Sequence, residues 1–393
     1  VGLATGFLLA GYEYVRSPVN TLFKFYYGKE RLPYMLLVAP VGLMVMLYFY
    51  GRILTLLGPK WTLLCTSLMS ASAIAAGWWG LRRGYGEMSI VLFIIRSGYV
   101  VLLIEQYWSL LNSALKQREA RILNGPICGL GSIGAIIGGL SGQKLTLMFG
   151  TQDMLLIAAA LTLPAAGCTH LAYHFVERRG LMLERFARNS AHSQTDTLGI
   201  QRILANPTLL SILIVVLMSQ AIAASLGLSF QGILQDTIPD VDKQTAYSFG
   251  FYSAVNGASG VGQFLIAPVL LSFVAVGTVH RIMPLIHLGL ISWAIMQPSL
   301  TSIGTVFLVY KAVDYSVFRA AKELLYIPLD FSSRFRAKEF IDVMGYRLGK
   351  GLTAGGFSAA TALGLAITDG GYAVVALLAA GVWFYRSRYL GLD

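Results

Sequence analysis

Charge is scarce in this sequence. Of 393 residues, 12% are charged and 56% are apolar, whereas a soluble domain carries about a quarter of its residues as charges. Acidic residues are the rarer sign, 19 against 30 Lys and Arg, for a net charge of +11. On a polar surface that excess would point to nucleic acid. Here the bases fall in short segments between long apolar runs, so no nucleic-acid partner is expected. Cysteine is nearly absent, and Cys65, Cys128 and Cys168 each lie inside an apolar run, which speaks against a disulfide framework and a zinc site. The five histidines show no metal spacing, and no nucleophile–base constellation appears. Neither enzyme activity nor a cofactor is expected. Polar stretches are too short for a disordered chain. No basic, cleavable leader precedes the first apolar run, which starts at Val1, so the expectation is a fragment beginning within its first spanning helix.

What is present is apolar sequence in lengths suited to a bilayer. About 20 apolar residues cross the hydrocarbon core as a helix, and twelve such stretches can be read, among them 2–24, 88–114, 302–325 and 341–367. The one long polar connection runs from Glu177 to Arg202. The expected fold class is therefore an all-α membrane protein of twelve transmembrane helices in two six-helix bundles, 1–176 and 206–393, joined by a basic cytoplasmic linker, 177–205. With both termini cytoplasmic, sixteen Lys and Arg fall in the inner loops and tail and seven outside, as the positive-inside rule requires. Lys24 is counted on the outer side. The halves also echo each other: KQREARILNGPICGLGSIGAIIGG and SSRFRAKEFIDVMGYRLGKGLTAGG are basic segments leading into glycine-rich helices at corresponding places. Six-plus-six with matched halves resembles the major-facilitator layout. The G-x-G-x-x-G spelling at 129–134 follows no strand and is not a dinucleotide fingerprint. Glycine inside spans instead lets helices pack closely.

Ionisable side chains inside these runs cost about 2.5–3.5 kcal/mol each on insertion scales, and so mark a cavity, a pair or a relay. Glu13 and Arg16 are three apart and share a helix face. Arg96 and Glu105 are nine apart, which at about 100° per residue puts them on opposite faces unless the helix is distorted. The run 302–325 is the most densely charged: Lys311, Asp314, Arg319 and Lys322 share one face, with Glu323 just beyond. Asp342, Arg347 and Lys350 follow, and Gly349 and Gly351 leave room beside Lys350. Bases exceed acids in the interior, which favours an anionic solute, because guanidinium forks and ammonium points bind phosphate and carboxylate. Arg16, Arg96, Lys311, Arg319 and Lys350 are the candidate solute ligands. Glu13, Glu105 and Asp314 are candidates for charge balance or proton carriage. Lys322, Glu323, Asp330, Asp342 and Arg347 are candidates for a cytoplasmic gate. Tyr12, Tyr14, Tyr107, Trp108, Phe251, Tyr252 and Tyr315 lie within spans and could stack on a base or ring, or serve packing and interface anchoring.

Lys322-Glu323 through Tyr326-Ile327-Pro328-Leu329-Asp330, then Ala337-Lys338, Ile341-Asp342-Val343 and Arg347-Leu348-Gly349-Lys350 resemble the ATP/ADP translocase (nucleotide transport protein) family. Trp108-Ser109 and Glu119-Ala120-Arg121 agree more loosely. The resemblance implies a twelve-helix, facilitator-like exchanger of nucleotides with intramembrane charges that bind phosphate. Lys350 matches the family's glycine–lysine step, and Arg16 matches an arginine of its first helix. The chain departs from the pattern at Gly351, where the family has serine, and at Ser17-Pro18-Val19-Asn20, where a lysine–aspartate pair is usual. It departs again at Ala224–Gln231, which carries no charge.

The expected function is a secondary transporter of a nucleotide or other organic anion, working by alternating access through exchange or proton coupling. The alternatives are a proton-coupled transporter of a neutral or cationic compound and a non-transporting scaffold or lipid-handling protein. The expected partners are a small anionic solute and the lipid bilayer. The expected setting is a bacterial inner membrane, with the chain monomeric.

Overall fold

The computed structural model describes residues 2–114, 117–178, 200–327, 329 and 338–390, and among these there is no strand. The apolar runs form helices: α1 (Gly2–Tyr27), α2 (Leu32–Arg82), α3 (Met88–Gly98), α4 (Ile104–Ala114), α5 (Gln117–Phe149) and α6 (Met154–Arg178). They continue as α7 (Ile200–Ala205), α8 (Pro207–Thr237), α9 (Val241–Val261), α10 (Ala267–Phe273), α11 (Val276–Met296) and α12 (Leu300–Val313). The last are α13 (Arg319–Leu325), α14 (Lys338–Phe340), α15 (Tyr346–Ala362) and α16 (Asp369–Arg386). At 1.5 Å per residue α1 is about 39 Å long, enough to cross a bilayer.

Two features break the regular rods. In α2, Gly58 takes φ 72° and ψ 168°, a backbone region open to glycine, and Pro59 follows, so the element is two helices meeting at a sharp turn. Elsewhere the interruption is a π turn, in which an extra residue is absorbed without ending the helix. Such turns join α3 to α4 at Tyr99–Leu103, α9 to α10 at Gly262–Ile266, α12 to α13 at Asp314–Phe318 and α14 to α15 at Ile341–Gly345.

The chain divides into two compact units, Val1–Gly28 with Val38–Gln194 and Ile238–Asn256, and Lys29–Leu37 with Thr195–Thr237 and Gly257–Asp393. In the first, α1 is the centre and packs on α5, α6 and α3. The α1–α5 crossing is close because it is built from small residues: a methyl group added at Gly134 would fall on the Gly6 backbone, and one at Gly138 on Ala10. In the second, α8 is the centre, with α16, α15 and α12 around it. There Gly349 lies against the backbone of Leu217.

Six helical stretches of the described residues are long and apolar enough to cross a bilayer, the longest being Lys29–Arg82 and Val241–Phe273. α1, with Glu13 and Arg16, and the α12–α13 rod, with Lys311 and Asp314, are among the helices outside that set. Large apolar side chains such as Leu56, Leu147, Phe273 and Met296 are exposed, as expected of a surface solvated by lipid tails.

Candidate functional site

Each unit gathers its buried charges around one helix. In the first unit, Glu13 is 2% exposed and ion-paired with Arg16 one turn away. The second carboxylate oxygen of Glu13 accepts a hydrogen bond from Asn256 Nδ2 at 3.0 Å. The Arg16 guanidinium lies 3.6 Å from the centre of the Tyr252 ring and 5.3 Å from that of Tyr12. Both charges are therefore engaged, by each other, by an amide and by aromatic faces. Arg96 is half-buried, donates to Asn20 Oδ1 and lies 4.0 Å from the Phe93 ring centre. The π turn Tyr99–Leu103 separates Arg96 from Glu105, so the opposite-face geometry of an ideal helix does not apply between them. The Glu105 side chain lies outside the described residues.

Lys24 departs from the sequence expectation. It is not in an outer loop: α1 continues to Tyr27, and Lys24 is buried within it at 1% exposure. Asn20 and Asn256, neutral and unremarkable in sequence, were missed. Their one signal is an uncharged amide within a long apolar helix, where an unsatisfied polar group is costly.

In the second unit the charges are arranged differently. Lys311 is buried at the C-terminal end of α12, and its Nζ reaches Tyr315 Oη at 3.4 Å. It also lies 5.0 Å from the Tyr315 ring centre, and the Arg319 guanidinium lies at the same distance from that ring. An ideal helix puts Arg319 about 80° from Lys311. The π turn Asp314–Phe318 absorbs about one residue and turns Arg319 back, so that both cations meet one tyrosine. Lys350 comes in from α15, close enough for its charge to act on Tyr315 together with those of Lys311, Asp314 and Arg319. Lys350 and Arg319 are exposed, and no hydrogen bond or ion pair joins Lys350 to another described residue. Asp314 is 3% exposed and its Oδ1 has no hydrogen-bond partner among the described residues.

The two glycines beside Lys350 have separate roles. Gly349 is consumed by the contact with α8, whereas a methyl group on Gly351 would meet open space. The room is on the Gly351 side.

The gate candidates form a network of their own. Lys322, buried, is ion-paired with Asp342 and lies 3.7 Å from Glu323, which in turn receives Lys338 at 2.5 Å. Lys322 lies 5.1 Å from the Tyr346 ring centre. The Lys322 cluster is thus balanced, Lys322 and Lys338 against Asp342 and Glu323. Arg347 is half-buried at the start of α15. Asp330 lies outside the described residues.

At the end of α2, Arg82 grips Asp153, in the turn before α6, with both carboxylate oxygens at 2.7 Å, and Trp78 Nε1 donates at 2.9 Å. Partial burial works to raise the Asp153 carboxyl, but the hydrogen bonds and the charge of Arg82 outweigh it and hold the group below its ordinary value. A groove of about 330 Å³ lined by Leu3, Phe7, Ile133, Ile137 and Leu161 bears no charged residue. It suits lipid rather than solute.

Residues 263–390 match the model of the TLC ATP/ADP transporter family, which bears out the resemblance read from the motifs at 322–350. The fold extends that likeness to solved structures along nearly the whole chain. A bacterial homologue of the iron transporter ferroportin, inward-facing, is 13% identical at a TM-score of 0.72, covering 100% of this chain and 98% of that one. The nucleoside transporter NupG is 15% identical at a TM-score of 0.69, covering 99% and 98%. The major facilitator superfamily transporter FucP in the outward conformation is 12% identical at 0.56, covering 98% and 96%. The all-helical fold is similar to that of these solved transporters. The family match over residues 263–390 and the shared fold are both likenesses to transporters.

Proposed function

We propose that this chain moves an organic anion, a nucleotide or a related phosphorylated metabolite, by alternating access, and that Lys311, Arg319 and Lys350 hold the anion. The observation that carries this reading is Lys350: exposed, within a group of three cations and one carboxylate, and joined to none of the described residues by hydrogen bond or ion pair. An ammonium left in that state inside an apolar helix is costly unless it is hydrated or meets an anion. Arg16 is less suited to the solute because Glu13 and Tyr252 already engage it, and it serves to order α1. Arg96, bonded to a neutral amide, keeps its charge available. The reading includes twelve spans, halves at 1–176 and 206–393 joined through 177–205, a monomer, and both termini on the cytoplasmic side of a bacterial inner membrane.

One observation favours proton coupling as a second reading. Asp314 is a buried carboxyl with one oxygen that has no hydrogen-bond partner among the described residues, suited to carry a proton beside the anion site. The scaffold reading is disfavoured, because it requires the cations to be closed by internal pairs.

The test is uptake into proteoliposomes. A charge-assisted contact contributes about 1.5–3 kcal/mol, so Lys350→Gln is expected to weaken solute affinity by about ten- to a hundredfold with the thermal unfolding of the unliganded protein unchanged. Uptake at the parent level in a folded Lys350→Gln protein overturns the assignment.

A further inference from the structure

The two compact units do not follow the halves read from the sequence. Each takes in a segment of the other half: Lys29–Leu37 sits in the second unit, although the chain on both sides of it belongs to the first, and Ile238–Asn256 sits in the first. The two borrowed segments are held differently. Ile238–Asn256 is packed in. Ser253 Oγ donates to the Ile136 carbonyl at 3.1 Å, and the Phe249 ring centre lies 5.3 Å from that of Tyr14. Methyl groups added at Gly139 or Gly142 would fall on Ser253 or on the Phe249 ring, and both of those side chains are buried.

Lys29–Leu37 is tied down chiefly by polar contacts. Lys29 is ion-paired with Asp236, near the end of α8, and its Nζ lies 3.3 Å from Oδ2 of Asp369, the first residue of α16. A methyl group on Gly232 of α8 would fall on the Asp369 carboxylate, so both acids stand at one place. Farther along, Tyr34 Oη donates to the Ser358 carbonyl of α15 at 3.1 Å. The side chains of Lys29, Asp236 and Asp369 are 26%, 57% and 21% exposed. Water competes for all three charges, and ion pairs of this kind hold weakly.

The contacts of Lys29 and the Lys322 network stand at opposite ends of α8. Gly345, just past Asp342, packs on Val216 near the start of that helix, whereas Asp236 is close to its end. Between Val216 and Asp236 the helix rises about 30 Å, the thickness of the hydrocarbon core.

We propose that Lys29, Asp236 and Asp369 form a latch: residues 29–37 let go of α8 and α16 when the protein opens at the end away from the Lys322 network, and Ile238–Asn256 stays fastened when they do. The inference goes beyond the choice of solute and rests on the alternating-access reading. A contact that breaks in every cycle has to be cheap to break and quick to re-form, and moving elements are drawn from the weakly held parts of a fold. A partly exposed ion pair meets both conditions, because its charges return to water on release. Two carboxylates around one ammonium also let the lysine keep one partner while it leaves the other. The buried contacts of Phe249 and Ser253 meet neither condition, since breaking them opens a packed core.

The experiment measures distances between nitroxide labels on the full chain in lipid nanodiscs by pulsed electron paramagnetic resonance. Cys65, Cys128 and Cys168 are replaced by serine. Labels at Arg31→Cys and Leu365→Cys, both exposed positions, report the latch, and labels at Gln152→Cys and Lys243→Cys report Ile238–Asn256. In Lys29→Gln the longer-distance population of the first pair is expected to rise about fivefold over the parent, with the second pair unchanged. Asp369→Asn, which leaves Lys29 with Asp236, is expected to give a smaller rise, and it decides the matter should Lys29→Gln fail to fold. A first-pair distribution identical to the parent's in the folded variants overturns the latch. Equal lengthening of both pairs overturns its restriction to residues 29–37.

A second measurement joins the latch to transport. A short bis-thiosulfonate link between Lys29→Cys and Asp369→Cys is expected to stop ADP uptake into proteoliposomes, and a reductant to restore it. Undiminished uptake with the link complete overturns the latch. If the unlinked protein takes up no ADP, the nucleotide reading fails instead, and the label distances still decide the latch.

Discussion

The two charge clusters are made of the same kinds of residue and end in opposite conditions. Around α1, Glu13 and Arg16 are closed by each other, by Asn256 and by Tyr252. Around α12 and α13, Lys350 and Arg319 are exposed, and Asp314 has one oxygen with no hydrogen-bond partner among the described residues. A buried charge that finds its partner within one turn is structural. One that is held near like charges and denied a partner needs water or a ligand. The difference teaches that counting ionisable residues in a span says less than asking which of them the fold leaves unanswered.

The sharpest way to break this comparison is to remove one member from each cluster. Glu13→Ala strands Arg16, and deleting one partner of a buried pair costs about 3–5 kcal/mol. Lys350→Gln removes a charge joined to none of the described residues by hydrogen bond or ion pair and is expected to change stability by less than about 0.5 kcal/mol. Thermal unfolding without ligand checks both, and a Lys350→Gln protein as unstable as Glu13→Ala would erase the distinction.

A smaller effect is expected from the glycines. Gly134→Ala drives a methyl group into the Gly6 backbone and is expected to cost about 1–3 kcal/mol through overpacking. Gly351→Ala points into open space and is expected to be neutral or to stabilise by about 0.5 kcal/mol, since alanine favours helix. Denaturant unfolding in detergent measures the pair.

The smallest effect belongs to the partly exposed pair. Arg82 and Asp153 have side chains 49% and 26% exposed, so Arg82→Ala is expected to cost no more than about 1 kcal/mol. Because the fold depresses the Asp153 carboxyl, its contribution is present at neutral pH and is lost as pH falls below the ordinary carboxylate value, about 3.9. Unfolding followed from pH 7 to pH 3 should converge for parent and variant at the acidic end. A gap that widens towards acid contradicts the assignment.

Helix positions were legible because a run of about 20 apolar residues has few alternatives in a bilayer. The observed ends of α1, Gly2 and Tyr27, lie within a few residues of the expected 2–24. The Glu13–Arg16 pair was legible too, since three residues is one turn. Asn256 was not: its contact with Glu13 spans 243 positions, and no local pattern encodes it. Lys24 was placed outside because a lysine near an expected helix end reads as a loop residue, whereas α1 runs on to Tyr27. The shared face of Lys311 and Arg319 was legible, but the turn that brings them to one tyrosine was not. Nothing in Asp314–Phe318 distinguishes a π turn from ordinary helix, yet the extra residue redirects all that follows.

That surplus residue has a consequence for motion. A helix holding one residue too many can pass it to a neighbouring turn, as a dislocation travels through a crystal, exchanging one set of backbone hydrogen bonds for another without unravelling. Each such step would swivel Arg319 past Tyr315 while Lys311 stayed fixed. The cradle for an anion would then tighten or slacken by rotation within a single rod.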